Sequence, residues 1–557
     1  DEGSEFHGEE NKKGRFYIMK KLATLILAAG MIIGSVTGAN AIDFKAKGQW
    51  IMSFDYGEHG AFTGNRGRHA AYGWGRDNTN SQDDFEARQR VRLQLDAVAS
   101  ESLSGTVYFE IGDSFWGNYA GGGALGADGK IVKVKQAYID WMVPETDLKV
   151  RMGIQNISLP SFTIGTNTVL DDDVAGVVAS YQFNENVGVT ALWARPFNDN
   201  YKGYYEYNGG KSWYHDGSYM DNLDLGALMI PFTFDGIKVT PWVAYGQAGP
   251  NTFRAGKDPI GNIVAGNKLD AANYATSGLF PVPVQKSFDK YGNKTGKFGY
   301  NGANPTSYSD IWFAGATGEF TIWDPLRIAW DFTYGSSTWD GAKELDRKGW
   351  LVTFLAEYKM DWGVPGLVFW YGSGDDSSTS NGSERMPTVS SNNTNQFSNF
   401  AFNGDPFRAR DGVISNGDMG GTWGIGLRAK DMSFIEDLKH TFRVNYIGGT
   451  NSPKMAKYMS SAGLWANGAA LDGTQREHEG LGFNGMYLTT QDSALEFGLT
   501  NTYKMYENFT LTLEADYMAM WLDTSKAVWG AAHRVNNNGI PGTADAWNIN
   551  ASFTYQF

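Results

Sequence analysis

The sequence predicts an all-β protein, a transmembrane antiparallel β-barrel of eighteen strands with short periplasmic turns and long extracellular loops. Three observations carry that prediction. In the closing stretch Trp547, Ile549, Ala551, Phe553, Tyr555 and Phe557 share one parity, while Asn548, Asn550, Ser552, Thr554 and Gln556 share the other. Successive strand side chains point to opposite faces, so one face is apolar and the other polar and uncharged. The second observation is a strict alternation of short and long connections, which outer-membrane barrels show and soluble sandwiches have no reason to adopt. The third is composition. Mean hydropathy is −0.38 and no apolar run follows Ile42 that is long enough for a membrane helix. That excludes a helical membrane protein but not a barrel, which spreads its apolar residues over every second position.

The N-terminal stretch is an address. Met19-Lys20-Lys21 is a basic start, Leu22 to Ile33 an apolar core too short to span a bilayer, and Ala39-Asn40-Ala41 a small-x-small cleavage site. Residues 19–41 therefore read as a cleaved signal peptide, 1–18 as an upstream extension from a mis-assigned start or from cloning, and 42–557 as the barrel. The first two segments carry equal numbers of acidic and basic residues, so the mature chain keeps the net charge of −14. An acidic exported chain argues against nucleic acid as a partner. With no cysteine in 557 residues, a disulfide scaffold and thiolate chemistry are excluded. Aromatics at 14% and 70 glycines suit interfacial girdles and long loops.

Taken in order, the first strand falls near 44–56, with Trp50, Met52, Phe54 and Tyr56 outward. Strands near 84–98 and 105–116 meet at a Ser-Glu-Ser-Leu-Ser turn, those near 131–143 and 147–157 at Pro144-Glu145-Thr146. A short third loop containing Asp171-Asp172-Asp173 leads to strands 174–183 and 187–195. Then come 222–234 with 237–248 across Asp235-Gly236, 309–323 with 326–336 across Asp324-Pro325, and 349–360 with 366–373 around Trp362-Gly363. Strands 422–430 with 439–449 and 493–505 with 508–522 complete the pairs before the closing strand. If the weak strands near 366–373 and 422–430 belong to loops, the count is sixteen.

The second strand fixes which face is wet. Phe85, Ala87, Val91, Leu93 and Leu95 oppose Glu86, Arg88, Arg90, Arg92, Gln94 and Asp96. Each arginine facing lipid at the midplane would cost about 2–4 kcal/mol, so Arg88, Arg90 and Arg92 face the lumen. The same parity argument turns Lys149, Arg151, Arg327, Arg428 and Arg443 inward, together with Glu110, Asp140, Glu357, Glu496, Glu514 and Asp516. A lumen lined with both signs of charge selects ions by sign and sets a transverse field. Asp171, Asp172 and Asp173 are the candidate acidic partners of the arginine ladder if the third loop folds inward. An exposed loop or a helix N-terminal cluster accounts for them equally well. Neither that triplet nor Gly374-Asp375-Asp376 has the ligand spacing of a calcium loop, and we expect no metal and no cofactor.

The signal peptide, the strand FEARQRVRLQLDA followed by SESLSG, the GIQN stretch at 153–156 and the aromatic-ended closing strand resemble the homotrimeric outer-membrane porins of sulfate-reducing deltaproteobacteria. They are more distantly similar to the major porins of the epsilonproteobacteria. The resemblance covers 42–557 and implies a homotrimer in outer-membrane lipid, conducting small hydrophilic solutes and ions by passive diffusion. It also implies insertion by the barrel-assembly machinery through an assembly signal at Phe553, Tyr555 and Phe557. Arg88, Arg90 and Arg92 match the family's arginine-rich second strand, a basic wall that would face an acidic inward loop.

The expected function is a general diffusion porin with weak anion preference. The alternative is a substrate-selective channel. An outer-membrane enzyme such as a lipid hydrolase is a third reading, but no catalytic residue stands out. His59, His69, His215, His440, His478 and His533 form no triad or metal pattern, and Arg476-Glu477-His478-Glu479 lacks zinc-helix spacing. Trp330 and Trp521 sit on the lipid parity and read as girdle residues, not as a sugar slide.

Overall fold

The computed structural model describes residues 42–58, 84–118, 123–126, 132–198, 203–207, 210–214, 222–250, 252, 278–281, 307–390, 394–403, 407, 413–415, 417–455, 487–523 and 545–557. The expected extension and signal peptide lie outside the described residues, as do all the histidines named above except His440.

The strands are β1 (Asp43–Glu58), β2 (Asp84–Ser100), β3 (Leu103–Phe115), β4 (Lys133–Met142), β5 (Leu148–Ser158), β6 (Asp171–Gln182) and β7 (Gly188–Asn198). There follow β8 (Gly203–Tyr207), β9 (Gly210–Tyr214), β10 (Asn222–Met229), β11 (Phe232–Phe234), β12 (Ile237–Ala248), β13 (Asp310–Trp323) and β14 (Leu326–Thr338). The last are β15 (Arg347–Tyr358), β16 (Val364–Gly372), β17 (Thr422–Ile435), β18 (Leu438–Gly449), β19 (Ser493–Tyr506), β20 (Phe509–Trp521) and β21 (Ala546–Gln556). Each barrel strand pairs antiparallel with its neighbour, and β21 pairs back on β1 from Gln49↔Gln556 to Glu58↔Trp547. Closure leaves no edge strand.

β8 and β9 form a separate hairpin within the fourth loop. β10 and β11 both pair with β12 and are two parts of one stave, broken at Ile230-Pro231, where proline has no N–H to give to a ladder. The barrel therefore has eighteen staves. The sixteen-strand alternative fails because β16 and β17 are fully paired with each other and with β15 and β18. Their weak sequence signal has a packing cause. A Cβ on Gly424 of β17 would lie 2.2 Å from the Trp370 ring of β16, so glycine is what lets that indole lie flat against the next strand.

A second correction concerns Asp171, Asp172 and Asp173. They open β6, where Ser158↔Asp171, Ile157↔Asp172 and Asn156↔Asp173 are register pairs with β5. The third loop is thereby reduced to 159–170. Alternation also puts Asp172 on the face opposite Asp171 and Asp173.

The outer face carries the aromatic belts that a bilayer demands. Towards the long loops Trp312 packs tilted against Tyr245 (4.3 Å), Trp350 stacks on Tyr371 (5.1 Å) and Tyr56 meets Trp547 edge to face (5.3 Å). Towards the short turns Trp50 packs on the terminal Phe557 at 5.2 Å. The Phe557 backbone closes the seam by exchanging hydrogen bonds with Gly48.

The inner face is unequal around its circumference. From β10 to β16 its loopward part is apolar, with Leu223, Leu225, Trp242, Phe313, Leu351, Leu355, Val368 and Trp370 all buried, while towards the short turns the same face carries Lys238, Glu319, Arg327, Asp331 and Glu357. Loop residues pack onto them: Leu159 and Ile164 of the third loop, Leu279 and Phe280 of the fifth (249–309), and Met386, Phe397 and Phe402 of the seventh (373–421). From β2 to β5 the inner face is charged, and at Arg92, Glu110, Asp140, Lys149 and Arg151 it is partly solvated.

Candidate functional site: the barrel interior

Of the loops that fold into the barrel, the third and the seventh are each fastened by a wall carboxylate. The third loop ends its inward run on Asp331 of β14. That carboxylate accepts from the Ser161 hydroxyl (2.7 Å), the Phe162 and Thr163 amides (2.9 and 3.2 Å), and the hydroxyls of Thr163 and Thr317. Arg327 Nη2 donates to the Phe162 carbonyl at 2.9 Å. A carboxylate has about four lone-pair sites, so four donors from the loop and the Thr317 hydroxyl of β13 leave Asp331 fully occupied.

The seventh loop is held from the far side. Glu496 of β19 is wholly buried, and its Oε1 accepts from the Ser398 hydroxyl (2.7 Å) and the Phe400 and Ala401 amides (2.9 and 3.2 Å). Its Oε2 accepts from Asn445 Nδ2 at 2.7 Å. Arg428 and Arg443 both donate to the Gln396 carbonyl, at 3.0 and 3.4 Å. The two loops then meet: Gln396 N–H donates to the Ile164 carbonyl at 3.0 Å, and Thr166 Oγ1 to the Thr394 carbonyl at 3.2 Å. A continuous strap runs from β14 through both loops to β19.

The expected residues distribute themselves around this strap. Arg88 and Arg90 are only 5% and 7% exposed. Arg88 lies over the Phe115 ring and pairs with Glu86 at 2.8 Å, while Arg90 lies over Phe407 of the seventh loop. Arg92 pairs with Glu110 across the β2–β3 ladder at 2.8 Å, and both remain partly exposed. Asp140 takes a bidentate bond from Arg151 (2.7 Å to each oxygen) and a longer contact from Lys149 (3.7 Å). Glu357 gathers Arg327 (3.0 Å), Arg428 (2.7 Å) and Lys430 (3.0 Å). Glu514 and Asp516 are buried with Glu496 along the β19–β20 wall.

The aspartate triplet does not meet the arginine ladder. Asp171 accepts from Asn156 (3.2 Å) and Asp172 from Ser390 of the seventh loop (2.6 Å). Asp173 pairs with Lys135 and accepts from Gln136. The pairing of a basic wall with an acidic third loop is thus replaced by local pairs within the wall, because the triplet belongs to a strand.

Sequence reasoning missed the fastening residues. Ser161–Thr163 and Gln396–Ala401 bind through backbone groups and small hydroxyls, which no periodicity marks. One signal was present: Phe397, Phe400 and Phe402 sit in an otherwise polar loop, where exposed aromatics have no reason to cluster.

Outside the membrane-spanning strands, the root of the seventh loop carries Asp375, Asp376 and Glu384. Asp376 N–H donates to Glu384 Oε2 (2.8 Å), and Asn381 Nδ2 bridges Glu384 Oε1 (3.0 Å) and Asp376 Oδ2 (3.1 Å). Burial, reinforced by the charges of Asp375 and Asp376, pushes Glu384 up to about 7 despite the amide bond that opposes it. Tyr487, whose hydroxyl donates to Asp375 at 2.6 Å, is raised above the ordinary phenol range, chiefly by burial. Among the described residues no group of three or more histidines or carboxylates is arranged to hold a metal ion.

A closed, apolar-belted barrel with charge on its inside defines the class: an eighteen-strand transmembrane β-barrel. Among solved structures, the chain is similar to Pseudomonas aeruginosa OpdL (TM-score 0.46, 9% identity, 92% of this chain and 99% of that one). It is also similar to P. aeruginosa OprD (TM-score 0.43, 8% identity, 94% and 99%) and to outer-membrane expressed OmpT of Vibrio cholerae (TM-score 0.35, 10% identity, 94% and 100%). No family model matches the sequence, and no curated protein matches it. At such identities the likeness says nothing about solutes.

Proposed function

We propose that the protein is an outer-membrane channel for the passive passage of small hydrophilic solutes and ions. The observation that carries this reading is the β2–β5 wall. There the inner face exposes paired charges to water, with Arg92, Glu110, Asp140, Arg151 and Lys149 all partly accessible, while the outer face is apolar. Such a wall inside a closed barrel needs an aqueous path beside it, because charges in a dry lumen would be far too costly. Planar-bilayer recording of the purified protein tests it. Stepwise single-channel currents support the reading, and a folded barrel that passes no ions contradicts it. Lipid-hydrolase activity with no conductance would place the protein in the enzyme class.

A second reading is favoured by one observation. The strap formed by the third and seventh loops crosses the interior and narrows it, which suits a selective channel better than a general diffusion pore. Liposome swelling with sugars and amino acids of graded size separates the two: a sharp dependence on chemical class at equal size supports selectivity, and a smooth dependence on size supports general diffusion. The homotrimer and recognition of Phe553, Tyr555 and Phe557 by the assembly machinery belong to the same proposal. Mass determination in detergent and assembly of a Phe557→Ala variant test them.

A further inference from the structure

We propose that ion selectivity is set by a lysine-rich collar at the periplasmic mouth of the barrel and not by the arginines of β2; this rests on the channel reading above. The collar is visible as oversubscribed carboxylates. Near the ends of the strands that meet the short turns, Asp140 is shared by Arg151 and Lys149, and Glu319 by Arg327 (2.7 Å) and Lys238 (3.1 Å). Glu357 is shared by Arg327, Arg428 and Lys430. Six cations on β5, β12, β14 and β17 thus face three carboxylates, all on the inward parity of their strands. Lys47 of β1 and Lys504 of β19 stand on the same inward parity and are exposed.

The two basic groups differ in what an ion can reach. Lys149 and Lys238 are about half exposed (48% and 51%), and Lys430 is 33% exposed. Arg88 and Arg90 are covered by Phe115 and Phe407. In each shared set the arginine makes the short or bidentate bond and the lysine is left at the open side. This follows from chemistry: the planar guanidinium fork fits a carboxylate, whereas the ammonium is a mobile, well-hydrated point charge. The shared sets carry a net positive charge, six cations to three carboxylates, whose most exposed members are the lysines, and small anions are the ions they favour. The eight short turns each carry at least one exposed carboxylate, Glu101, Glu185, Asp235 and Glu507 among them. These stand beyond the strand ends, outside the constricted path, and salt screens them over roughly 8 Å at physiological ionic strength.

The test uses the absence of native cysteine. Lys149→Cys, Lys238→Cys and Lys430→Cys are combined in one chain, and reversal potential is read under a salt gradient before and after thiol modification. Wild type should favour anions. A sulfonatoethyl reagent, which places a negative charge at each position, should move the anion-to-cation permeability ratio severalfold toward cations. An aminoethyl reagent, which restores the positive charge, should return it. Arg88→Gln/Arg90→Gln should leave the ratio unchanged. A wild-type preference for cations would mean that the turn carboxylates outweigh the collar and overturns the proposal. So does a ratio that follows Arg88 and Arg90 but ignores the three lysine positions. Loss of conductance in wild type would instead sink the channel reading, which keeps the two failures apart.

Discussion

The β2–β5 wall and the loopward part of the β10–β16 wall obey the same alternation, yet one inner face is charged and wet while the other is apolar and packed with loops. The difference lies in what each wall faces. Arg92, Glu110, Asp140 and Arg151 satisfy one another in pairs across neighbouring strands and leave one side to water. Val368, Trp370, Leu355 and Phe313 have no such partners and are covered by Phe280, Phe397 and Phe402 from the loops. The barrel interior is thus part soluble-protein core and part charged, water-facing wall. Eighteen staves enclose more space than side chains alone can fill, and loops fill part of it.

The largest expected effect comes from removing the packed part's filling. Deleting 394–403 should raise single-channel conductance severalfold, because both the strap and its aromatic cover are lost; an unchanged conductance would show that these loops do not bound the path. Glu496→Leu is a subtler break. It removes the acceptor of the Ser398 hydroxyl and of the Phe400 amide, while Ala401 N–H keeps Ser398 Oγ at 2.8 Å; the cost is on the order of 3 kcal/mol, and the channel current should become noisy between two levels. A quiet current at wild-type level would refute the role of Glu496 as the fastening.

Trp370→Ala sharpens the comparison from the other direction. Truncating a wholly buried indole opens a cavity and should cost about 3–5 kcal/mol, lowering the thermal midpoint while leaving ion selectivity unaltered. The matching change in the wet wall, Asp140→Asn, should shift selectivity toward anions with a stability loss within about 1 kcal/mol, since that pair is partly exposed.

The smallest effect is a pH dependence at the root of the seventh loop. Glu384 is raised in the folded state to about 7, so the stability it contributes is complete below the ordinary carboxyl range near 4.5 and is lost as pH rises through 7. Ionised, it stands beside Asp375 and Asp376. Amide exchange over 375–385, corrected for the intrinsic pH dependence, should be faster at pH 8 than at pH 6, and Glu384→Gln should abolish the difference. Equal protection at both pH values would remove Glu384 from this role.

Nearly every stave was legible in the sequence, because an alternating stretch such as Trp547–Phe557 admits one pairing geometry. β6 was read to start too late because three consecutive aspartates look like a loop; they are tolerated where the strand emerges toward the outer loops. The interior was legible only as parity. Periodicity says that Arg88 and Arg90 turn inward, but not that Phe115 and Phe407 cover them, since Phe407 comes from a loop more than three hundred residues away. The fastening of both loops was invisible for a related reason. Asp331 and Glu496 hold backbone amides, and every residue but proline supplies one.

On the channel reading, water and ions pass along β2–β5 and not through the loop-packed, apolar part of β10–β16. Thiol accessibility in single open channels tests it most directly, comparing Glu110→Cys with Val368→Cys, the latter at a position with no exposed surface. A membrane-impermeant thiol reagent should step the current down at Glu110→Cys and leave Val368→Cys untouched. Rapid block at Val368→Cys with no response at Glu110→Cys would contradict the account.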